Sequence, residues 1–179
     1  MTEIQKPIGF STVRYAVACW LRYAKQCPVV AFERGGHGWG WDHPDVFGVK
    51  ESRETFDVEI KMSFSDFKAD MKKTKFQPGF PKTHRRPTWF YYAAPMALAE
   101  KIQASMLLPG GAGLLGVTGF REMGQDGIVV LLRADKHKAS LRPRIGQVVT
   151  WVKDQSGTLC GLAQMIAREE ERKIKALGV

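Results

Sequence analysis

Two side chains of opposite charge, Glu59 and Lys61, lie two residues apart in the segment TFDVEIKM, residues 55–62. Apolar and polar residues alternate through this segment, which predicts a β-strand. Because residues two apart on a strand share a face, Glu59 and Lys61 can act on one substrate. Other acid-x-lysine tripeptides of the chain begin at Asp66, Asp70 and Glu171. These three lie in helix-like segments, where residues two apart diverge, so the strand pair is the candidate for chemistry.

A further carboxylate, Asp45, follows Pro44 at the start of a second predicted strand, residues 45–49. If the two strands pair as a hairpin, Asp45 and Glu59 come close together. Mg²⁺ takes oxygen ligands and is commonly held by one or two carboxylates, and it can activate a water to attack a phosphodiester. A nearby lysine can position that water and offset charge on the phosphorus. The alternative is a solvated strand face on which Lys61 pairs with Glu59 or Asp57.

The elements that must position these residues follow from periodicity and from proline and glycine breaks. The order of helices and strands predicts one α/β domain over residues 1–179. The predicted helices cover residues 12–25, the segment that follows Ser63, residues 96–105 and about 158–177. The predicted strands cover residues 28–33, 45–49, 55–62, 89–95, 113–120 and 127–134.

Basic side chains dominate the chain, whose formal net charge is +9. A charge of this size favours a polyanionic partner. Seven basic residues cluster after the Glu59 strand, and we expect them to contact the phosphate backbone of a nucleic acid. They are Lys68, Lys72, Lys73, Lys75, Lys82, Arg85 and Arg86. The alternative is a solvated basic loop that contacts no partner.

Several other classes of protein and site are disfavoured by the sequence. The G-x-G-x-x-G match at residues 111–116 follows a predicted helix and precedes a strand, the reverse of a dinucleotide site. Three cysteines without a C-x-x-C pair disfavour a disulfide framework and a cysteine-based zinc site. With no signal-peptide pattern and no apolar run of about 20 residues, we expect a cytoplasmic protein that does not span a membrane.

The segments HPDVFGV (43–49), FDVEIKMSFSDFKADMKK (56–73) and FYYAAP (90–95) resemble the PD-(D/E)XK nuclease superfamily. Within it, the chain is most similar to the MmcB-like DNA-repair proteins and related phage or bacterial proteins. The resemblance covers roughly residues 12–120. It implies a restriction-endonuclease-like core, in which helices flank a central four-stranded mixed sheet. It also implies hydrolysis of phosphodiester bonds that depends on Mg²⁺ or Mn²⁺.

The resemblance also implies roles for individual residues. Asp45 and Glu59 would be metal ligands together with the main-chain carbonyl of Ile60, and Lys61 would position the attacking water. Two departures leave alternatives open. The stretch before Asp45 is long and rich in tryptophan, so Asp42 competes as a ligand. The first helix contains no acid to complete the site, and Glu33 is a candidate substitute.

Together with these residues, the resemblance implies a metal-dependent deoxyribonuclease that acts in DNA repair, recombination or phage nucleic-acid processing. The missing helix acid favours an alternative, a DNA-binding or repair-recruitment module that does not cut. A third reading is a small basic protein that binds and inhibits another protein. The C-terminal helix is a candidate surface for a homodimer, and a repair or recombination protein is a candidate partner.

Overall fold

The computed structural model describes residues 8–32, 44–73, 76, 86–119 and 127–137. All of these residues belong to one compact unit, Met1–Arg142. A second unit, Pro143–Val179, lies outside the described residues, and so does the helix predicted at residues 158–177. The single domain predicted over residues 1–179 therefore stays a prediction.

Three helices and six strands make up the described unit, in the order that the sequence predicts. The helices are α1 (Phe10–Cys19), α2 (Phe64–Asp70) and α3 (Met96–Ala104), and α1 continues into a π-helical turn, Trp20–Ala24. The strands are β1 (Val29–Phe32), β2 (Val46–Val49), β3 (Thr55–Ile60), β4 (Trp89–Pro95), β5 (Gly113–Val117) and β6 (Ile128–Leu132). None of the described helices has the length and apolar character that a membrane crossing requires.

All six strands form one mixed sheet in the order β1-β2-β3-β4-β5-β6. Strands β1, β2 and β3 form an antiparallel meander, β3, β4 and β5 are parallel, and β6 is antiparallel to β5. Parallel neighbours need a crossover, which α2 supplies between β3 and β4 and α3 between β4 and β5. The predicted α/β class is confirmed. The sheet has two strands more than the four expected, and its order is compatible with a restriction-endonuclease-like core.

Helices cover both faces of the sheet, which decides the environment of β3. Phe56, Val58 and Ile60 join the residues of α1 in one apolar cluster. Tyr92 of β4 lies on the other face and packs with Phe67 of α2 and with residues of α3. Asp57 and Glu59 alternate with the α1-facing residues, so they point to this second face and are buried there. The solvated strand face considered from the sequence is therefore wrong.

Candidate active site

Asp45 and Glu59 are brought together by the pairing of β2 with β3. The register places Val46 opposite Val58, so the residue before Val46 and the residue after Val58 are cross-strand neighbours. The Oδ2 atom of Asp45 accepts a hydrogen bond of 2.7 Å from the main-chain N–H of Ile60. This bond fixes the Asp45 carboxylate beside the end of β3. The predicted hairpin and the predicted proximity of Asp45 to Glu59 are both confirmed.

Lys61 lies directly after β3, and its position is fixed through both its main chain and its side chain. Its main-chain N–H donates to the carbonyl of Ala93 in β4 at 2.9 Å. Its Nζ atom is 3.5 Å from Oε2 of Glu59 and 3.4 Å from Oδ1 of Asp70. Glu59 and Lys61 are only 4% and 5% exposed, so this ion pairing takes place away from bulk water. The ammonium therefore has carboxylates of both β3 and α2 as counter-ions.

Asp70 is the site residue that sequence reasoning missed. It begins one of the helical acid-x-lysine tripeptides, whose local pattern gives no reason to place it at the site. Helix α2 begins at the Ser63 cap, whose Oγ accepts from the N–H of Asp66 at 3.1 Å, and the helix ends at Asp70. Phe67 is fully buried, and Asp70, three residues later, lies on the same helical face and is 2% exposed. That spacing from an inward-facing phenylalanine was the signal in the sequence.

Tyr92 and Lys73 hold the Asp70 carboxylate. The Tyr92 hydroxyl donates to Oδ2 of Asp70 at 2.7 Å, and Nζ of Lys73 is 2.7 Å from Oδ1. Burial raises the pKa of Tyr92 above its ordinary value, and the hydrogen bond to Asp70 and the nearby negative charges of Asp70, Glu59 and Asp57 raise it further. Tyr92 therefore stays a neutral hydrogen-bond donor at physiological pH. We call Glu59, Lys61, Asp70 and Tyr92 the buried ionic cluster.

The carboxylates of Asp45 and Glu59 suit a hard divalent cation. Asp45 and Glu59 offer carboxylate oxygens, and Mg²⁺ is commonly bound by one or two carboxylates while it keeps several waters. Within the described ranges, no group of three or more His, Cys, Asp and Glu side chains is arranged to hold a metal. Glu33 and Asp42, the further candidate ligands, lie outside those ranges. The role of the Ile60 carbonyl as a ligand stays a prediction.

Part of the predicted DNA-binding set lies near the buried ionic cluster. Lys68 lies on α2, and Lys72 and Lys73 follow the helix in a turn. These three lysines are exposed, whereas Arg86 is partly buried. The remaining members, Lys75, Lys82 and Arg85, lie outside the described residues.

Lys101 of α3 is a basic residue that the sequence did not single out. Its Nζ atom lies 5.0 Å from the centroid of the Phe64 ring, and Nζ of Lys68 lies 6.0 Å from the same centroid. We call Phe64, Lys68 and Lys101 the Phe64 patch. The patch forms because α2 and α3 cover the same face of the sheet, a tertiary contact without a local sequence signal.

Comparison with known proteins supports the fold and leaves the activity open. Neither a protein-family model nor a curated protein matches the chain. Among solved structures, it is similar to the SPO1766 protein of unknown function from Silicibacter pomeroyi, with a TM-score of 0.58 and 22% sequence identity. The similarity covers 90% of this chain and 94% of that one. At this level of identity, it shows a shared fold and nothing about chemistry.

Proposed function

We propose that this chain is a metal-dependent deoxyribonuclease of the PD-(D/E)XK type. The observation that supports the proposal best is the hydrogen bond between Asp45 Oδ2 and the N–H of Ile60. It sets one carboxylate beside the Glu59-x-Lys61 segment on an adjacent strand, the arrangement that the resemblance implies for a metal site. In this arrangement, Asp45 and Glu59 hold the metal, and Lys61 orients the water.

In this proposal, Asp45 and Glu59 hold a Mg²⁺ or Mn²⁺ ion, with the Ile60 carbonyl as a further ligand. The bound ion supplies polarisation of the scissile phosphodiester and a water of lowered pKa. Lys61 orients that water. The carboxylates of Glu59 and Asp70 lie 3.5 and 3.4 Å from its Nζ and act as counter-ions. An ammonium has three N–H donors, and in this proposal one of them contacts the attacking water.

DNA is the proposed substrate because the surroundings of the site are basic. The whole chain carries a formal charge of +9, and exposed Lys68, Lys72 and Lys101 lie on or next to the helices that cover the Glu59 face. Contacts between lysine and phosphate are mainly electrostatic, so binding should weaken as salt rises.

One observation favours a second candidate, a DNA-binding or repair-recruitment module that does not cut. Lys61 is 5% exposed and already has two carboxylate counter-ions, an arrangement that a purely structural ion pair would also produce. In addition, the described residues do not bring a third acid to Asp45 and Glu59. This candidate predicts salt-sensitive DNA binding without turnover.

A cleavage assay separates the two candidates. Purified protein is incubated with supercoiled plasmid and with single-stranded DNA in Mg²⁺, Mn²⁺ or EDTA, and the products are separated on gels. Nicked or shortened DNA that forms with either metal and not with EDTA supports the nuclease. DNA retention in a binding assay, with no product in either metal, contradicts it and supports the binding module.

A further inference from the structure

We propose that Asp70 is a positioning residue that holds the Lys61 ammonium in place when a divalent cation binds next to it. This inference rests on the proposed function, because it assigns a task to Asp70 at the same site. It starts from the geometry of one carboxylate, which is 2% exposed and lies 3.4 Å from Nζ of Lys61. Asp70 reaches the ammonium from α2, whereas Glu59 reaches it from β3.

The charges explain why Glu59 alone is insufficient. A buried ammonium needs a counter-ion, because its transfer out of water is costly unless a carboxylate compensates. Glu59 provides one at 3.5 Å from Nζ of Lys61. If Glu59 also binds a divalent cation, its negative charge is shared with that cation, which itself repels the ammonium. Asp70 then remains as the counter-ion that keeps Lys61 beside the reacting water.

Asp70 can do this because its own carboxylate is held rigidly. Tyr92 donates to Oδ2, and Lys73 contacts Oδ1, both at 2.7 Å. Tyr92 is fully buried in the sheet opposite Glu59, so its hydroxyl cannot move far. Lys73 is half-exposed, with 43% of its side chain accessible, and it balances charge from the solvent side. The Lys61 ammonium is thus held by a carboxylate that is itself fixed to β4.

The test uses Asp70→Asn, which keeps the shape of the side chain and removes its charge. Asp66→Asn is the matched control, since Asp66 is an exposed aspartate on the same helix. For Asp70→Asn we expect kcat for DNA cleavage to fall about tenfold or more, as is usual when a supporting partner is lost. We expect KM to stay within about twofold, because a lysine that acts on water does not set substrate affinity. Asp66→Asn should leave both parameters unchanged.

A second readout does not depend on cleavage. Reductive methylation followed by mass spectrometry reports how readily Lys61 reacts, and a Lys61 side chain released from Asp70 should be methylated faster in Asp70→Asn than in the wild type or Asp66→Asn. If the wild type does not cut DNA but Lys61 reacts faster in Asp70→Asn, the positioning holds and the nuclease proposal fails. If the wild type cuts DNA and Asp70→Asn changes neither kcat nor Lys61 reactivity, the positioning proposal is overturned.

Tyr92→Phe covers the case in which Asp70→Asn does not fold. This variant keeps the Asp70 charge and the aromatic packing, and it removes only the hydroxyl that donates to Oδ2. We expect kcat to fall and Lys61 methylation to become faster, as in Asp70→Asn. Both changes should be smaller than in Asp70→Asn, because Lys73 still contacts Asp70. A folded Tyr92→Phe protein with wild-type kcat and wild-type Lys61 reactivity overturns the proposal as well.

Discussion

The carboxylate of Asp45 accepts a hydrogen bond from the main-chain N–H of Ile60 at 2.7 Å. This bond joins the start of β2 to the end of β3, next to Glu59 and Lys61. Asp45 thus has a fixed orientation. A fixed carboxylate next to a buried Glu59 is the basis of the proposed metal site.

The Phe64 patch should contribute to DNA binding. We expect Lys68→Glu and Lys101→Glu each to weaken binding, and each to lower the slope of log K against log salt by about 1, because each removes about one phosphate contact. Titration of labelled DNA by fluorescence anisotropy at several salt concentrations measures both quantities. Phe64 itself stays in place in both variants, so the comparison isolates the charges.

Arg53→Glu is the control for this experiment. It makes the same change in net charge, but Arg53 lies in the turn between β2 and β3. Asp45 lies at the other end of this strand pair. If Arg53→Glu weakens DNA binding as much as Lys68→Glu or Lys101→Glu, the effect reflects net charge alone, and the Phe64 patch has no special role.

Much of the fold could be predicted from the sequence because the residues of β3 alternate clearly between apolar and polar. This alternation from Thr55 to Ile60 predicts the strand. The short polar turn before it predicts the hairpin that brings Asp45 close to Glu59. The sequence offers Ser63 and Ser65 as caps of the helix after β3, and the structure uses Ser63, whose Oγ accepts from the N–H of Asp66. These features are local, so that a window of a few residues contains the whole signal.

The surroundings of β3 could not be predicted in the same way. Alternation of polar and apolar residues normally indicates one solvated face, yet α2 and α3 cover the polar face and bury Glu59 and Lys61. The contact of Asp70 with Lys61 joins residues nine positions apart across a helix and a strand, and the patch between Lys68 and Lys101 depends on helix packing. Both are consequences of tertiary structure.

Burial of Lys61 changes what its removal should do. The sequence alone suggests that Lys61→Ala leaves the fold nearly intact, because it does not show that Lys61 is buried. In the structure, this change leaves Glu59 and Asp70 buried without their shared ammonium, and breaking a buried ion pair costs about 3–5 kcal/mol. We therefore expect Lys61→Ala to lower the free energy of unfolding by several-fold more than Lys68→Ala, which removes an exposed lysine from α2. Urea denaturation followed by circular dichroism compares the two, and equal losses would contradict the buried pairing.

Cys27 should make the protein less stable at alkaline pH. The thiol is fully buried, and burial raises its pKa from 9.0 to about 12. Above pH 9 the unfolded chain can release this proton and the folded chain cannot, so stability falls as pH rises from 9 towards 12. The loss should approach about 1.4 kcal/mol per pH unit from this one group.

Urea denaturation at several pH values between 8 and about 11 measures this dependence, in the wild type and in Cys27→Ala. The variant is expected to be less stable at pH 8, because it loses buried volume, but to show a shallower decline above pH 9. Parallel curves for the two proteins would mean that the Cys27 thiol is not the source of the alkaline loss.

The central claim is tested most directly by the rate at which a Glu59→Gln protein cuts DNA in Mg²⁺. This change keeps the size of the side chain and leaves Lys61 paired with Asp70, so the fold is preserved better than in Lys61→Ala. Glu100→Gln, an exposed change on α3, is the matched control. We expect the wild type and Glu100→Gln to cut at the same rate, and Glu59→Gln to be at least about 100-fold slower, because it removes a charged metal ligand. A Glu59→Gln protein that cuts DNA as fast as the wild type would contradict the account.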